Sequence, residues 1–127
     1  MIESWVTDDG NGEPMSPGTV VETLRARISA GRCETWLSSS SGRWPTFVTD
    51  TERAAVSLLE GEGDAGEHAV DPGPGTEGVS TGFVLSNGQR DEYPDEDTVP
   101  LDEAFRIVAD IVGEGSWPTD TTWVVDR

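Results

Sequence analysis

The sequence is poor in the residues on which many catalytic and metal sites depend. It contains one cysteine, Cys33, and one histidine, His68, among 127 residues. An intramolecular disulfide, a cysteine-rich zinc site and a two-histidine metal site are therefore excluded, and neither residue has an obvious partner for a nucleophilic triad. We interpret Cys33 as a small, partly buried hydrophobe and His68 as a structural or surface residue.

Lysine is missing altogether: all eight basic residues are arginine, against 25 acids, which gives a net charge of −17. Binding to nucleic acid or to an anionic membrane needs cations that displace counterions, so both are disfavoured. The glycine-rich stretches GEGDAG and DPGPGTEG have no lysine to reach a phosphate, and we interpret them as loops. A halophilic surface or a high-GC coding sequence would each raise the overall acidity, but neither explains acids that concentrate in one stretch.

Long apolar runs are also absent. No run reaches the ~18 residues of a membrane span, and the N-terminus MIESWVTDDG lacks the basic and apolar regions of a signal peptide. We therefore expect a protein made for the cytoplasm that does not insert into a membrane. The chain has the length of one ordinary domain, so we expect a single domain over residues 1–127.

The hydrophobic periodicity predicts an α+β fold. IESWVT (residues 2–7) indicates a first strand, and Ser16 followed by Pro17 indicates the start of a helix that ends at Gly31. Five short strand-like runs follow within residues 33–86, and the turns between them predict hairpins. They are CETWLSSS, WPTFVTD, RAAVSLLEG, EHAVDP and TGFVLS.

The last third predicts a second helix and a final strand. LDEAFRIVADIVGEG repeats apolar residues at the spacing of one helix face, and Gly113 or Gly115 can end the helix. Residues 121–125 then form a strand, and Phe105, Val108 and Trp123 are expected in the core. Together the patterns predict a mainly antiparallel sheet of about six to seven strands with two helices packed on one face.

Acidic residues concentrate in LSNGQRDEYPDEDTVPLDEA, residues 85–104, where seven acids fall between Asp91 and Glu103. Two of them, Asp102 and Glu103, lie in the first turn of the second helix, where the helix dipole favours anions. The other five, in RDEYPDED, have no such reason. A solvated connection is the simplest interpretation of a charge run, and binding to a basic partner is the functional one.

The turn that precedes these acids is Asn87-Gly88, a two-residue hairpin signal after the strand FVL. Two-residue pairing would place Phe83 opposite Glu92 and Val84 opposite Asp91, with little cross-strand packing. The returning arm is therefore predicted to be an edge strand or an exposed loop that stops at Tyr93-Pro94.

The acidic stretch does not fit a calcium loop in its spacing, and it does not fit a hydrolytic site in its surroundings. A twelve-residue calcium loop asks for an oxygen ligand and then a glycine where Val99 and Pro100 stand. A hydrolytic carboxylate pair would need basic or apolar pocket residues nearby to shift a pKa, and the stretch has none. We therefore expect no cofactor, no metal and no enzymatic activity.

The second half of the chain resembles the immunity proteins of bacterial polymorphic toxin systems, specifically the first-numbered immunity family, often found beside toxins of the deaminase superfamily. The residues that carry this resemblance are GFVLSNGQ, DEYP, TVPLDEA with the helix FRIVADIVGEG, and WPTDTTW, in which Gly115, Pro118 and Trp123 occupy the family's glycine, proline and tryptophan places. The resemblance covers residues 46–123.

The resemblance implies a non-enzymatic α+β protein that binds one cognate toxin in the producing cell and blocks it. A toxin that acts on nucleic acid should present a cationic groove, which an acidic surface can occupy in place of phosphates. The free protein is expected to be a monomer or a weak dimer. A general acidic interaction module, a nucleic-acid mimic and, less favoured, a small hydrolase stay open as alternatives.

We expect the toxin to be bound by the acidic stretch, with Tyr93 as the aromatic anchor, while the acidic loop of residues 60–67 competes as a contact site. Trp44 and Trp117 suit either core or interface. The predicted toxin-binding residues are Asn87, Gln89, Asp91, Glu92, Tyr93, Asp95, Glu96, Asp97 and Trp117.

Overall fold

Two helices and nine strands make up the part of the chain that the computed structural model describes, which is residues 4–7, 14–61, 63–71, 78–85 and 88–126. In chain order they are β1 (Trp5–Thr7), α1 (Pro17–Ser29), β2 (Glu34–Ser39), β3 (Trp44–Thr49), β4 (Arg53–Leu59), β5 (Glu67–Ala69), β6 (Val79–Val84), β7 (Arg90–Pro94), β8 (Val99–Pro100), α2 (Leu101–Glu114) and β9 (Trp123–Val125). A 3-10 turn, Asp95–Asp97, connects β7 to β8. They form one small α+β domain, as predicted.

Both predicted helices are confirmed, with their ends. The Ser16 hydroxyl accepts a hydrogen bond from the backbone N–H of Thr19, which caps α1, and Pro17 takes the first helical position. Gly115 ends α2 in the left-handed conformation. Gly113 lies inside the helix instead, where a Cβ atom would come within 2.8 Å of Cγ of Pro17. This glycine therefore lets the start of α1 approach the end of α2.

The main sheet has seven strands and is antiparallel at every pairing. Its order is β1-β2-β3-β4-β5-β9, and β8 pairs with one end of β4. The prediction of about six to seven strands is confirmed. The expected chain of hairpins breaks once, because β6 does not pair with β5. It pairs with β7 in a separate two-stranded sheet.

Alternation along β4 divides the main sheet into two faces. Ala54, Val56 and Leu58 are buried and belong to the apolar core, to which both helices contribute. Arg53 and Ser57 lie between these positions on the other side, which we call the helix-free face. Members of this core include Trp5, Leu24, Phe47, Phe105, Val108 and Ile111. Phe105 stacks on Phe47 with ring centroids 5.8 Å apart.

The register between β6 and β7 differs by one residue from the predicted one. Phe83 lies opposite Asp91, not Glu92, and Val84 opposite Arg90, not Asp91. Leu85 donates from its N–H to the carbonyl of Gln89, 2.8 Å away, so the connection contains three residues rather than two. Its last residue is Gly88 at φ +86°, which is the left-handed position of a three-residue hairpin loop. The slip exchanges the faces of every residue in the returning arm.

One expected core residue is misplaced. Trp123 is 40 % exposed on β9, whereas Phe105 and Val108 are buried as predicted. Trp123 stacks parallel to Trp117 at 6.0 Å, so it covers a buried tryptophan from outside. Among the helices that the structure describes, none has both the length and the apolar character needed to cross a membrane.

Candidate functional site

Most of the predicted contact residues lie on one unit, which we call the acidic hairpin: β6, β7 and the 3-10 turn Asp95–Asp97. It packs over the helix-free face of the main sheet, as two contacts establish. The Arg53 side chain, on that face, donates to the carbonyl oxygen of Asp95 at 3.2 Å. The His68 ring, which lies opposite Ser57 on the same face, bonds to Asp97. The acids therefore lie on the side of the sheet that the helices leave uncovered.

The inner side of the acidic hairpin is aromatic. Phe83 is fully buried, and the Tyr93 ring meets it edge to face with centroids 4.8 Å apart. The register allows this contact, because Phe83 lies opposite Asp91 and Tyr93 follows Asp91 by two residues on the same side of β7. A bulge lies between Ser80 and Phe83, and Gly82 within it has φ +89°. Tyr93 was predicted as the aromatic anchor for a partner. It is half-buried, and its ring contributes to packing within the hairpin.

Burial raises the pKa of the Tyr93 phenol, and the negative charge of Asp91 raises it further. The phenol also lies 3.5 Å from Oδ2 of Asp91, at the outer limit of a hydrogen bond, while the amide of Gln89 donates to Oδ1 of the same carboxylate at 2.8 Å. Asp91 thus contacts the side chains two positions before and two positions after it. Tyr93 remains a neutral hydroxyl at physiological pH.

Asp95 and Asp97 are both engaged within the fold. The Ser80 hydroxyl donates to Oδ1 of Asp95, and the N–H of Asp95 donates to the carbonyl of Gly78 at 2.9 Å. Oδ1 of Asp97 lies 3.1 Å from Nε2 of His68. These two carboxylates hold the turn in place, so they are only partly available to a partner.

His68 forms a clamp between two acids. Its Nδ1 lies 2.7 Å from Oδ2 of Asp126, and its Nε2 is the atom that meets Asp97. Burial lowers the pKa of His68, but the hydrogen bonds and charges of Asp126 and Asp97 together outweigh it, so the pKa is raised above its ordinary value of 6.5. The clamp joins the acidic turn to the end of the terminal strand.

Arg53 supports the turn from beneath. Its guanidinium forms an ion pair with Asp71 at 2.8 Å and donates to the hydroxyl and the carbonyl oxygens of Thr98, at 2.7 and 3.0 Å. Thr98 is fully buried. Because these bonds involve a charged donor, they fix the backbone where the turn leads into β8.

Two acids of the stretch lie exposed at the surface. Glu92 and Glu96 are exposed, and neither carboxylate bonds to another described residue. The register explains Glu92, because it alternates with Asp91 and Tyr93, which face inward. Of the five acids in the acidic hairpin, Asp91, Asp95 and Asp97 bond to other residues of the fold, while Glu92 and Glu96 face solvent.

The other predicted contact residues lie away from the acidic hairpin or outside the described residues. Asn87 lies outside the described residues. Gln89 is exposed at the start of the returning arm. Trp117 is only 8 % exposed, belongs to the core, and donates from its indole N–H to Oε1 of Glu67 at 3.0 Å. Its burial leaves little surface for a partner.

The competing acidic loop of residues 60–67 also uses some of its carboxylates in bonds within the fold. Glu67 accepts the indole N–H of Trp117, and Oδ2 of Asp64 accepts the backbone N–H of Glu60 at 2.9 Å. Glu62 lies outside the described residues. The loop thus uses one carboxylate to fix its own backbone and another to bind Trp117.

Sequence reasoning missed one surface residue, Trp36. It projects from the helix-free face between Thr35 and Leu37, which are both buried, and it is exposed. Its ring meets that of Trp44 at near right angles with centroids 6.1 Å apart. The alternation in ETWLSS could have revealed it, because the tryptophan falls out of phase with Leu37. A large exposed aromatic on the same face as the acidic hairpin is typical of an interaction surface.

The described residues contain no group of three or more histidine, cysteine or acidic side chains placed to hold a metal ion. The chemistry that this surface offers is recognition: carboxylates on a supported turn and an exposed tryptophan on the same face of the sheet. Comparison of the chain with protein-family models and with curated protein sequences gives no match.

Proposed function

We propose that this protein is an immunity protein, which binds a cognate basic toxin in the cytoplasm of the producing cell and blocks it with the acidic hairpin. The observation that carries the proposal is that some acids of the hairpin are bonded within the fold while others are exposed. Asp91, Asp95 and Asp97 are bonded within the fold, while Glu92 and Glu96 stand on the support that they create. A partner would meet two exposed glutamates on a backbone that loses little further freedom on binding.

The charge of the molecule supports the same function. With a net charge of −17, the protein attracts a cationic partner over long distances, and steered association raises capture rates by one to three orders of magnitude at low salt. Rapid capture matters when the partner is a lethal enzyme. The resemblance to immunity proteins favours a deaminase-superfamily toxin, whose groove for nucleic acid would receive the acidic hairpin.

Trp36 supplies the apolar part of the proposed contact. Interfaces combine a desolvated aromatic centre with a polar rim, and tryptophan is among the residues whose removal weakens binding most. Trp36 shares the helix-free face with the acidic hairpin, so one partner surface can cover both. Trp44 packs against the Trp36 ring and limits its movement.

The first test is co-expression with a toxin domain, if one is encoded next to the gene for this chain. We expect the wild-type chain to restore growth and to form a complex that survives gel filtration. If wild type neither rescues growth nor binds, the immunity function is rejected. A general acidic module would instead bind several unrelated basic proteins with similar affinity, which a binding panel would detect.

The second test compares two double variants with equal charge. Each Glu→Lys change adds two units, so both Glu92→Lys with Glu96→Lys and Glu22→Lys with Glu114→Lys change the net charge from −17 to −13. All four side chains are exposed, but the second pair lies on the helices. We expect the hairpin variant to bind at least about tenfold more weakly and the helix variant to bind nearly as wild type. Equal losses would mean that only the overall charge acts, and would reject the acidic hairpin as the contact.

A further inference from the structure

β9 is an edge strand with an unusual composition. In the main sheet it pairs with β5 alone among the described residues, and its members Trp123, Val124 and Val125 are 40, 45 and 51 % exposed. Edge strands are ordinarily blunted by lysine, proline or a bulge, because unpaired backbone groups attract other strands. The opposite edge, β1, does not share this exposure: Trp5 is buried and Val6 is half-buried.

The hydrogen bonds to β5 establish which backbone groups of β9 point outward. The N–H of Val70 donates to the carbonyl of Thr122 at 3.0 Å, and the N–H of Asp126 donates to the carbonyl of Gly66 at 2.9 Å. Residues of an antiparallel strand alternate between bonding toward one neighbour and toward the other. The N–H and carbonyl groups of Trp123 and Val125 therefore point away from the sheet, where they are placed to pair with an added strand.

Charge around β9 indicates the kind of strand that fits. Asp126 follows β9 directly, and the His68 clamp places Asp97 of the acidic turn beside it. An added strand with arginine or lysine side chains would meet these carboxylates, whereas an acidic one would be repelled. A second copy of this chain is disfavoured on the same ground, because each copy carries a net charge of −17.

We propose that β9 is a docking edge, to which an extended, basic segment of the partner adds as a further strand of the main sheet. Trp123 and Val125 supply the backbone hydrogen bonds, and Asp126 with the adjoining acidic turn selects for basic side chains. The inference rests on the proposed function for the identity of the partner. The edge itself is tested without the toxin.

The probe is a short acetylated peptide of alternating arginine and valine, added at millimolar concentration to isotope-labelled protein and followed by amide hydrogen exchange in NMR spectra. We expect exchange at Trp123 and Val125 to slow when the peptide binds. The amide of Asp126, which is already bonded to Gly66, serves as an internal reference and should change little. A peptide of alternating glutamate and valine should leave all three unchanged.

Two variants separate the backbone from the side chain. Val125→Pro removes an outward N–H and no bond to β5, so we expect binding of the basic peptide to weaken about fivefold, the loss of one hydrogen bond. Val125→Thr keeps the N–H and the branched shape, and should bind as wild type. If the proline variant does not fold, the exchange measurement on wild type decides alone.

Three outcomes would overturn the inference. In the first, Trp123 and Val125 exchange equally with and without saturating basic peptide. In the second, the acidic peptide protects them as well, which would contradict the selection for a basic strand. In the third, sedimentation shows that the protein alone is a dimer in which these two amides are already protected, so that the edge serves a second copy. None of these results depends on whether the protein binds a toxin, so the inference and the proposed function can fail separately.

Discussion

The second helix and the acidic hairpin show two different ways of attaching an element to the same sheet. α2 buries six residues against the core: Ala104, Phe105, Ile107, Val108, Ile111 and Val112. The acidic hairpin buries one large apolar side chain, Phe83, and is otherwise held to the sheet by bonds from His68 and Arg53. Apolar burial depends little on pH or salt, whereas carboxylate contacts depend on both. The fold is therefore secured mainly on one face of the sheet, and the proposed partner contact lies on the other.

The largest expected effect comes from the helix. Ile111→Ala should lower the free energy of unfolding by about 3 kcal/mol, because a fully buried side chain leaves a cavity when it is truncated. Urea denaturation measures this loss. The exposed Glu114 provides the matched control on the same helix, and Glu114→Ala should change stability by less than about 0.5 kcal/mol. Similar losses in the two variants would contradict the packing that we describe.

A smaller effect on global stability is expected from the hairpin. Phe83→Ala removes the only large apolar anchor of the hairpin in the described residues, but a two-stranded unit can open locally while the main core stays folded. We therefore expect a loss of about 1 to 2 kcal/mol, with amide exchange accelerated in β6 and β7 far more than in β4. Val79→Ala, on an exposed side chain of the same strand, is the control. Uniform acceleration across the domain would mean that the hairpin is part of the global core.

The helix was predictable from the sequence because one local pattern determines it. The three-and-four spacing of LDEAFRIVADIVGEG identifies the buried face without knowledge of the rest of the fold, and the burial of Phe105 and Val108 confirms it. The returning arm after the Asn87-Gly88 signal was predicted to be either an edge strand or an exposed loop, and the structure shows the strand β7. Its register was not predictable, because a loop of two or three residues satisfies the same dipeptide, and the alternatives differ by one residue.

The role of each acid could not be predicted from local sequence patterns. Asp97 meets His68 across 29 residues of sequence, and Asp126 meets the same ring across 58. Arg53 bonds to Thr98 across 45 residues. Pairs that form only when distant segments come together leave no periodic trace, so the acidic stretch was identifiable as a candidate site while its division into bonded and exposed acids was not. The exposure of Trp123 escaped prediction similarly, since strand order alone places β9 at an edge.

The smallest expected effect is a pH dependence of stability, which we expect from the His68 clamp of the acidic hairpin and not from the second helix. The pKa of His68 is raised in the folded state, so its protonated form stabilises the fold fully below the unfolded value of 6.5, and this contribution is lost as the pH rises through the folded pKa. Wild type should therefore be slightly more stable near about pH 6 than near about pH 8, by less than about 1 kcal/mol, since the ring is 21 % exposed and Asp97 and Asp126 are more so. His68→Gln should remove this difference in urea denaturation, while Ile111→Ala should keep it because the helix layer holds no part of the clamp. A wild type that is equally stable at both pH values, or a glutamine variant that keeps the difference, would show that the clamp does not link protonation to folding. The same measurement in Phe83→Ala tests whether the clamp needs an intact hairpin, because Asp97 reaches His68 only from the turn that Phe83 and Tyr93 help to seat on the sheet.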